Sequence, residues 1–172
     1  TTGGALTDNT ASEDPNLTTS GLVTISAVNG IGAPGAADID TSIGSLTAVN
    51  SSSGGIYIQE VDGLTVATDG VRTLANNGLI NLDVDAGSLV INGVVTSHGS
   101  GTVTLNADAG LIDVNAVVSS TTGAISLTGD RITQDANIFT SGNGTISLVA
   151  DNGLIRMADG TTTTTASGSI LY

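Results

Sequence analysis

The chain has 172 residues with 24 glycines, two prolines, two tyrosines, one phenylalanine and no tryptophan or cysteine, so its apolar content is carried by Val, Ile, Leu and Ala. That excludes a disulfide framework and a thiolate metal site, and it suits stacked narrow strands better than a wide globular core. Three Lys+Arg against 16 Asp+Glu give a net charge of -13. Nucleic acid and anionic membrane surfaces are therefore poor partners, a cationic or neutral partner is left open, and no stretch approaches the apolar length needed to span a bilayer, so neither nucleic-acid binding nor membrane insertion is expected.

Taken in chain order, seven glycines are each followed two and four residues later by large side chains: Gly21/Val23/Ile25, Gly54/Ile56/Ile58, Gly78/Ile80/Leu82, Gly101/Val103/Leu105, Gly123/Ile125/Leu127, Gly144/Ile146/Leu148 and Gly168/Ile170/Tyr172. The spacings are 33, 24, 23, 22, 21 and 24 residues. A near-constant period in this range marks a solenoid whose units bury their apolar faces against their neighbours. The predicted fold is all-β, a parallel β-helix of about seven coils of 21–25 residues with one longer first coil, and residues 1–172 form a single segment.

The first coil, from Gly21, carries its surplus in Asn29–Asp38. This Gly/Ala/Pro stretch is predicted to protrude as a loop, with Ser45-Leu46-Thr47-Ala48 resuming the strand; it brings two carboxylates, Asp38 and Asp40. The later coils share one plan, clearest in residues 101–122. A first strand, Thr102 to Ala107, points Val103, Leu105 and Ala107 inward, Asp108-Ala109-Gly110 turns the chain, Leu111 to Val114 forms a second strand, and Ala116 to Val118 begins a third. Leu64-Thr65-Val66, Leu89-Val90-Ile91 and Leu154 to Met157 repeat the second strand. Val94-Val95 and Ile138-Phe139 repeat the third. Three strands per coil imply a roughly triangular section, and seven coils at about 4.8 Å each imply a rod on the order of 35 Å long. The expected inner ladder is Val23/Ile56/Ile80/Val103/Ile125/Ile146/Ile170.

The turn after the first strand carries an acidic residue in five coils: Asp62, Asp85, Asp108, Asp130 and Asp151, at spacings of 23, 23, 22 and 21, with Asn29 expected at the same turn of the first coil. Stacked carboxylates at about 4.8 Å repel by about 0.9 kcal/mol per neighbour in water, before salt screening. Two readings stand. The column holds Ca²⁺, which takes hard oxygen ligands from carboxylates and turn carbonyls. Otherwise each Asp makes an ordinary Asx-turn with its carboxylate in water.

Other residues carry weaker signals. His98 is expected in solvent, the three arginines to compensate local acidic charge, and Thr161 to Thr165 to be an exposed β-edge or a loop. Glu60 stands where Val84, Ala107 and Ala150 are apolar, so either its strand has turned outward or its carboxyl has a partner. No catalytic residue is assigned. Uronate lyase chemistry calls for a basic side chain in a groove and glycoside hydrolysis for facing carboxylates, and the chain has no lysine and almost no aromatic surface for a sugar. An ice-binding face would need Thr-x-Thr in consecutive coils, whereas only Thr102-x-Thr104 and the near-match Thr145-x-Ser147 occur. A polysaccharide-active β-helix enzyme and an ice-binding solenoid are the alternatives to a structural role.

The segments "GTVTLNADAGLIDVNAVVSSTTGAISLTGD", "ISAVNGIGAPGAADIDTSIGSLTA" and "GGIYIQEVDGLTV" resemble the filamentous-haemagglutinin-like repeat region of large bacterial surface and biofilm adhesins. The resemblance runs from Gly21 onward. It implies a right-handed parallel β-helix, secretion to the bacterial cell surface or extracellular matrix, and a structural or adhesive role toward a cell-surface or polysaccharide target. The family's amino-terminal secretion domain is not among these residues, so the expectation is an internal segment of a longer repeat array or fibre, associating end to end or laterally. A second copy following directly would put its Gly21 25 residues after Gly168 and its Leu6 where Leu154 stands.

Overall fold

Alternation of inward aliphatic and outward polar residues builds the molecule coil by coil. The computed structural model describes residues 1–10 and 12–172, and these form a parallel β-solenoid of about seven turns, with 15 strands and no helix among the described residues. Each coil has three strand segments, and every segment pairs in parallel with its equivalent one coil away.

The first face stacks β3 (Ile56–Glu60), β5 (Ile80–Val84), the start of β8 (Val103–Val114), the start of β10 (Ile125–Gln134), β12 (Ile146–Ala150) and β15 (Ile170–Leu171). The second stacks the start of β4 (Leu64–Thr73), β6 (Leu89–Ile91), the ends of β8 and β10, and β13 (Ile155–Met157). The third stacks the end of β4, β7 (Val95–Ser97), β9 (Val118–Ser120), β11 (Ile138–Thr140) and β14 (Thr163–Thr165). β1 (Leu17–Ala27) and β2 (Ile39–Asn50) continue the second and third faces toward the amino terminus, and β2 begins on the first face, where Ile39–Thr41 pairs with Ile58–Glu60. The aliphatic side chains of all three faces meet in one continuous core, in which Ile56, Ile80, Val103 and Ile146 are fully buried.

The ladder from Ile56 to Ile170 is as expected, but its amino-terminal member is different. Val23 lies opposite Leu46 and Ile25 opposite Ala48, so Gly21-Val23-Ile25 belongs to the second and third faces. Ile31 stacks on Ile56, and Leu6 stacks on Ile31. Measured along Leu6/Ile31/Ile56/Ile80/Val103/Ile125/Ile146/Ile170, the coils are 25, 25, 24, 23, 22, 21 and 24 residues long. The predicted 33-residue first coil does not exist; Gly21 merely shares a pattern with the others.

The Gly/Ala/Pro stretch does leave the strand, but within the first face rather than after it. Ile31 stands opposite Ile56 and Ile39 opposite Ile58, so the residues between them are extruded as a small loop closed by an Ala33–Ala37 antiparallel bridge. The strand resumes at Ile39, not at Ser45. The same register moves Leu6 onto the ladder position of Ile170 instead of that of Leu154. A directly abutting second copy would place Leu6 eight residues after Ile170, too few for any coil of this solenoid.

The true glycine column has a steric cause. A β-carbon at Gly78, Gly101, Gly123, Gly144 or Gly168 would collide with the carbonyl oxygen of the glycine one coil before, so the corner between third and first faces admits only hydrogen there. A second column, buried except at half-buried Thr165, closes this corner from inside. The Thr73 hydroxyl donates to the Gly78 carbonyl at 2.6 Å, Ser97 to Gly101 at 2.6 Å, Ser120 to Gly101 at 2.8 Å and Thr165 to Gly144 at 3.0 Å. Asn50 does the same with its amide, donating to Gly54 at 2.8 Å. These polar residues, near the end of each third strand, satisfy carbonyls that the tight turn would otherwise bury unpaired.

Candidate acidic sites

Four of the five turn aspartates share a column. Val84 pairs with Ala107, Ala107 with Gly129 and Gly129 with Ala150, which carries Asp85, Asp108, Asp130 and Asp151 past the same corner. Asp62 falls outside it. Glu60 faces Val84 while Leu64 faces Leu89, so Asp62 comes opposite Ala86–Gly87, and its carboxylate accepts the Gly63 N–H at 2.7 Å. Asn29 is elsewhere too, in the corner before the first face, accepting from the Ser53 hydroxyl at 3.2 Å.

Side-chain amides intervene along the column. Gln59 Nε2 donates to both oxygens of Asp85, at 3.1 and 3.0 Å, Asn106 Nδ2 bridges Asp83 Oδ1, at 2.9 Å, and Asp108, and Asn152 Nδ2 donates to Asp130 Oδ1 at 2.6 Å. Asp83, Asp85 and Asp108 form a three-carboxylate cluster with ligand oxygens within 4.8 Å of one another. Burial pushes the Asp83 carboxyl above its ordinary range, the Asn106 amide opposes this, and Asp108 and Asp85 add to it. Hydrogen-bond donors thus offset the mutual repulsion of the stacked charges.

A second cluster forms where the extruded loop rejoins the first face. Glu13, Asp38 and Asp40 bring one carboxylate oxygen each within 4.8 Å of the others. Glu13 is exposed, whereas Asp38 and Asp40 are only 8% and 2% exposed. The Asp40 backbone holds the neighbouring segment in place: its N–H donates to Asn16 Oδ1 at 2.9 Å, and its carbonyl accepts the Asn16 N–H at 2.8 Å. Asp38 Oδ1 is buried with no hydrogen-bond partner. Burial, followed by the charges of Asp40 and Glu13, pushes the Asp38 carboxyl up to about 6. Burial also raises Asp40, with Glu13, Asp8, Asp85 and Asp14 acting in the same direction.

Sequence reasoning singled out Asp38 and Asp40 as loop carboxylates but missed Glu13. The signal was there in the period: Glu13 precedes Asp38 by 25 residues, the length of the first two coils, so one turn of the solenoid sets them side by side.

Glu60 has its partners inside. Fully buried, it accepts from the Thr41 hydroxyl at 2.6 Å and from the Ile43 N–H at 3.1 Å to each carboxylate oxygen. Burial raises its pKa, while the hydrogen bonds from Thr41 and Ile43 pull it back and nearby Asp62 raises it further. Thr163–Thr165 is the third-face strand of the last coil, paired with Ile138–Thr140. There Thr163 donates to Oε1 of buried Gln134 at 3.0 Å, and the core turns polar. His98 is exposed as expected. Arg156 pairs with Asp135 at 3.0 Å, but both side chains are well exposed and such a pair adds little stability.

Comparison with known protein families, with curated proteins and with solved structures finds no match for this chain.

Proposed function

We propose that the chain is a non-catalytic rod segment of a bacterial surface adhesin, filament or biofilm matrix protein of the filamentous-haemagglutinin-like kind, working outside the cell. The observation that carries this reading is the parallel β-solenoid itself, about seven coils stacked on one aliphatic core, which sets the outward positions of successive coils in rows along a rod. At one end Val149, Ile155, Met157 and Tyr172 line a concavity of about 560 Å³, with Leu154 and Leu171 exposed beside it. At the other, Leu6, Leu17, Val23 and Ile25 line one of about 250 Å³. Each end offers apolar side chains together with strands whose outer backbone groups can accept a further parallel strand. A further coil laid on either end, whether from the same chain or from a second copy, would cover these side chains and continue the parallel ladders.

The first face also presents Asn81, Thr104, Ser126 and Ser147 in one outward row, one residue per coil. Hydroxyls and an amide at that spacing suit hydrogen bonding to a hydroxyl-rich polysaccharide or cell-surface target. The test is display of the chain from an outer-membrane carrier on non-adherent bacteria, with electron microscopy of the purified protein alongside. Increased retention on polysaccharide-coated surfaces, with end-to-end strings of rods, supports the proposal. Retention equal to the carrier alone, together with single unassociated rods at high concentration, would refute it.

A further inference from the structure

We infer that Glu13, Asp38 and Asp40 form a calcium site that clamps the segment preceding β1 to the extruded loop of the next coil. This inference is independent of the adhesive reading, since it concerns one coil and no partner.

Three observations converge. The three carboxylates present oxygens within 4.8 Å of one another, which matches the span of a shell whose oxygens lie about 2.3–2.6 Å from a central Ca²⁺. Asp38 Oδ1 is buried and receives no donor, although a buried carboxylate oxygen without one is costly. No basic side chain neutralises the group: the three arginines lie on β4, β10 and β13, and the ion pair among the described residues is that of Arg156 with Asp135. The cluster differs in this from Asp83, Asp85 and Asp108, whose oxygens are met by Gln59 and Asn106.

A hard divalent cation answers all three conditions at once. It gives Asp38 Oδ1 a partner, offsets three negative charges, and leaves its remaining positions to water on the exposed Glu13 side. Calcium fits better than magnesium because it tolerates an irregular carboxylate set, whereas magnesium demands near-ideal octahedral geometry and gives up its waters reluctantly. Glu13 comes from the segment before β1 and Asp38 and Asp40 from the next coil, so the ion cross-links two turns.

The experiment is isothermal titration of the chain with CaCl₂ and, separately, MgCl₂ at constant ionic strength, with thermal melts in parallel. One calcium per chain is expected, bound at least about tenfold tighter than magnesium, with a melting temperature that rises with free calcium. Glu13→Gln, on an exposed side chain that leaves the fold untouched, should weaken calcium binding at least about tenfold, and Asp38→Asn should abolish it. The exposed control Asp159→Asn should bind as wild type does. Absence of calcium binding by the wild-type chain would overturn the inference. So would undiminished binding in both Glu13→Gln and Asp38→Asn, which would move the ion to the Asp83/Asp85/Asp108 cluster.

Discussion

Replacing Gly123 by alanine should force two coils apart. The new β-carbon would overlap the Gly101 carbonyl oxygen and lie 2.6 Å from its carbon and 2.7 Å from the Ser100 oxygen, all of them backbone atoms that no rotamer change can remove. Relief to ordinary contact requires the corner to open by about 1 Å. The flanking inter-coil hydrogen bonds, Thr122 N–H to Gly99 at 2.8 Å and Val103 N–H to Ala124 at 3.0 Å, would then stretch beyond bonding range. Two such losses cost about 1 kcal/mol each, and the strain on the buried Val103–Ile125 step adds about 1–3 kcal/mol, for a total of about 3–5 kcal/mol. At roughly 2–4 °C per kcal/mol for a chain of this size, the melting temperature should fall by about 10 °C. Gly21→Ala is the matched control. Its β-carbon would find only the Thr19 hydroxyl, at 3.5 Å, at an exposed position, so its effect should stay within about 0.5 kcal/mol. Circular dichroism melts of both variants decide the matter: an unchanged melting temperature for Gly123→Ala, or an equal loss for Gly21→Ala, would refute the assignment of the glycine column.

Two further outcomes follow from the buried carboxylates. Glu60→Ala leaves the buried Ile43 N–H without its acceptor, while the Thr41 hydroxyl keeps the Gln59 carbonyl at 2.9 Å, and denaturant unfolding should show a loss of about 2 kcal/mol, with Glu60→Gln losing clearly less because it keeps an acceptor oxygen. In metal-free buffer, stability should decrease as pH rises from about 4 to just above 6. Asp38 keeps its proton up to about 6 in the folded chain but only to about 4 when unfolded, so the folded state binds more protons across this window, and Asp40, Asp83 and Glu60 shift in the same direction. Asp8, held low chiefly by the Thr10 N–H, acts oppositely only at the acid end. Melting temperatures measured in EDTA that rise or stay level from pH 4 to pH 7 would contradict this.

Much of the architecture was legible because the solenoid repeats its demands once per coil. The alternation in Thr102–Ala107 or Thr145–Leu148 can bury only one strand face, and repetition at 21–24 residues leaves stacking as the way to cover it. The amino-terminal coils were misread for a physical reason as well. Gly21-Leu22-Val23-Thr24-Ile25 has the same local pattern as the true first strands, yet what makes Gly123 obligatory is a carbonyl one coil away, and a glycine in the sequence does not reveal what approaches it. Leu6 and Ile31 were passed over because their segments are short single-bridge contacts broken by an inserted loop.

The acidic residues divide along the same line. That Asp85, Asp108, Asp130 and Asp151 stack follows from periodicity alone, since equal coil phase means equal position around the rod. Asp62 slips out of the column because it stands six residues after its ladder residue Ile56, whereas Asp85, Asp108, Asp130 and Asp151 each stand five after theirs, a difference that the 23-residue spacing to Asp85 hides. Composition and period by themselves determined an acidic, all-β, coil-on-coil rod with its aliphatic residues inside. Only the tertiary structure decided which carboxylates meet amide donors and which, like Asp38, are buried without one, because that depends on loop closure and side-chain reach between coils, and a one-residue change in either moves a charge from water to the interior.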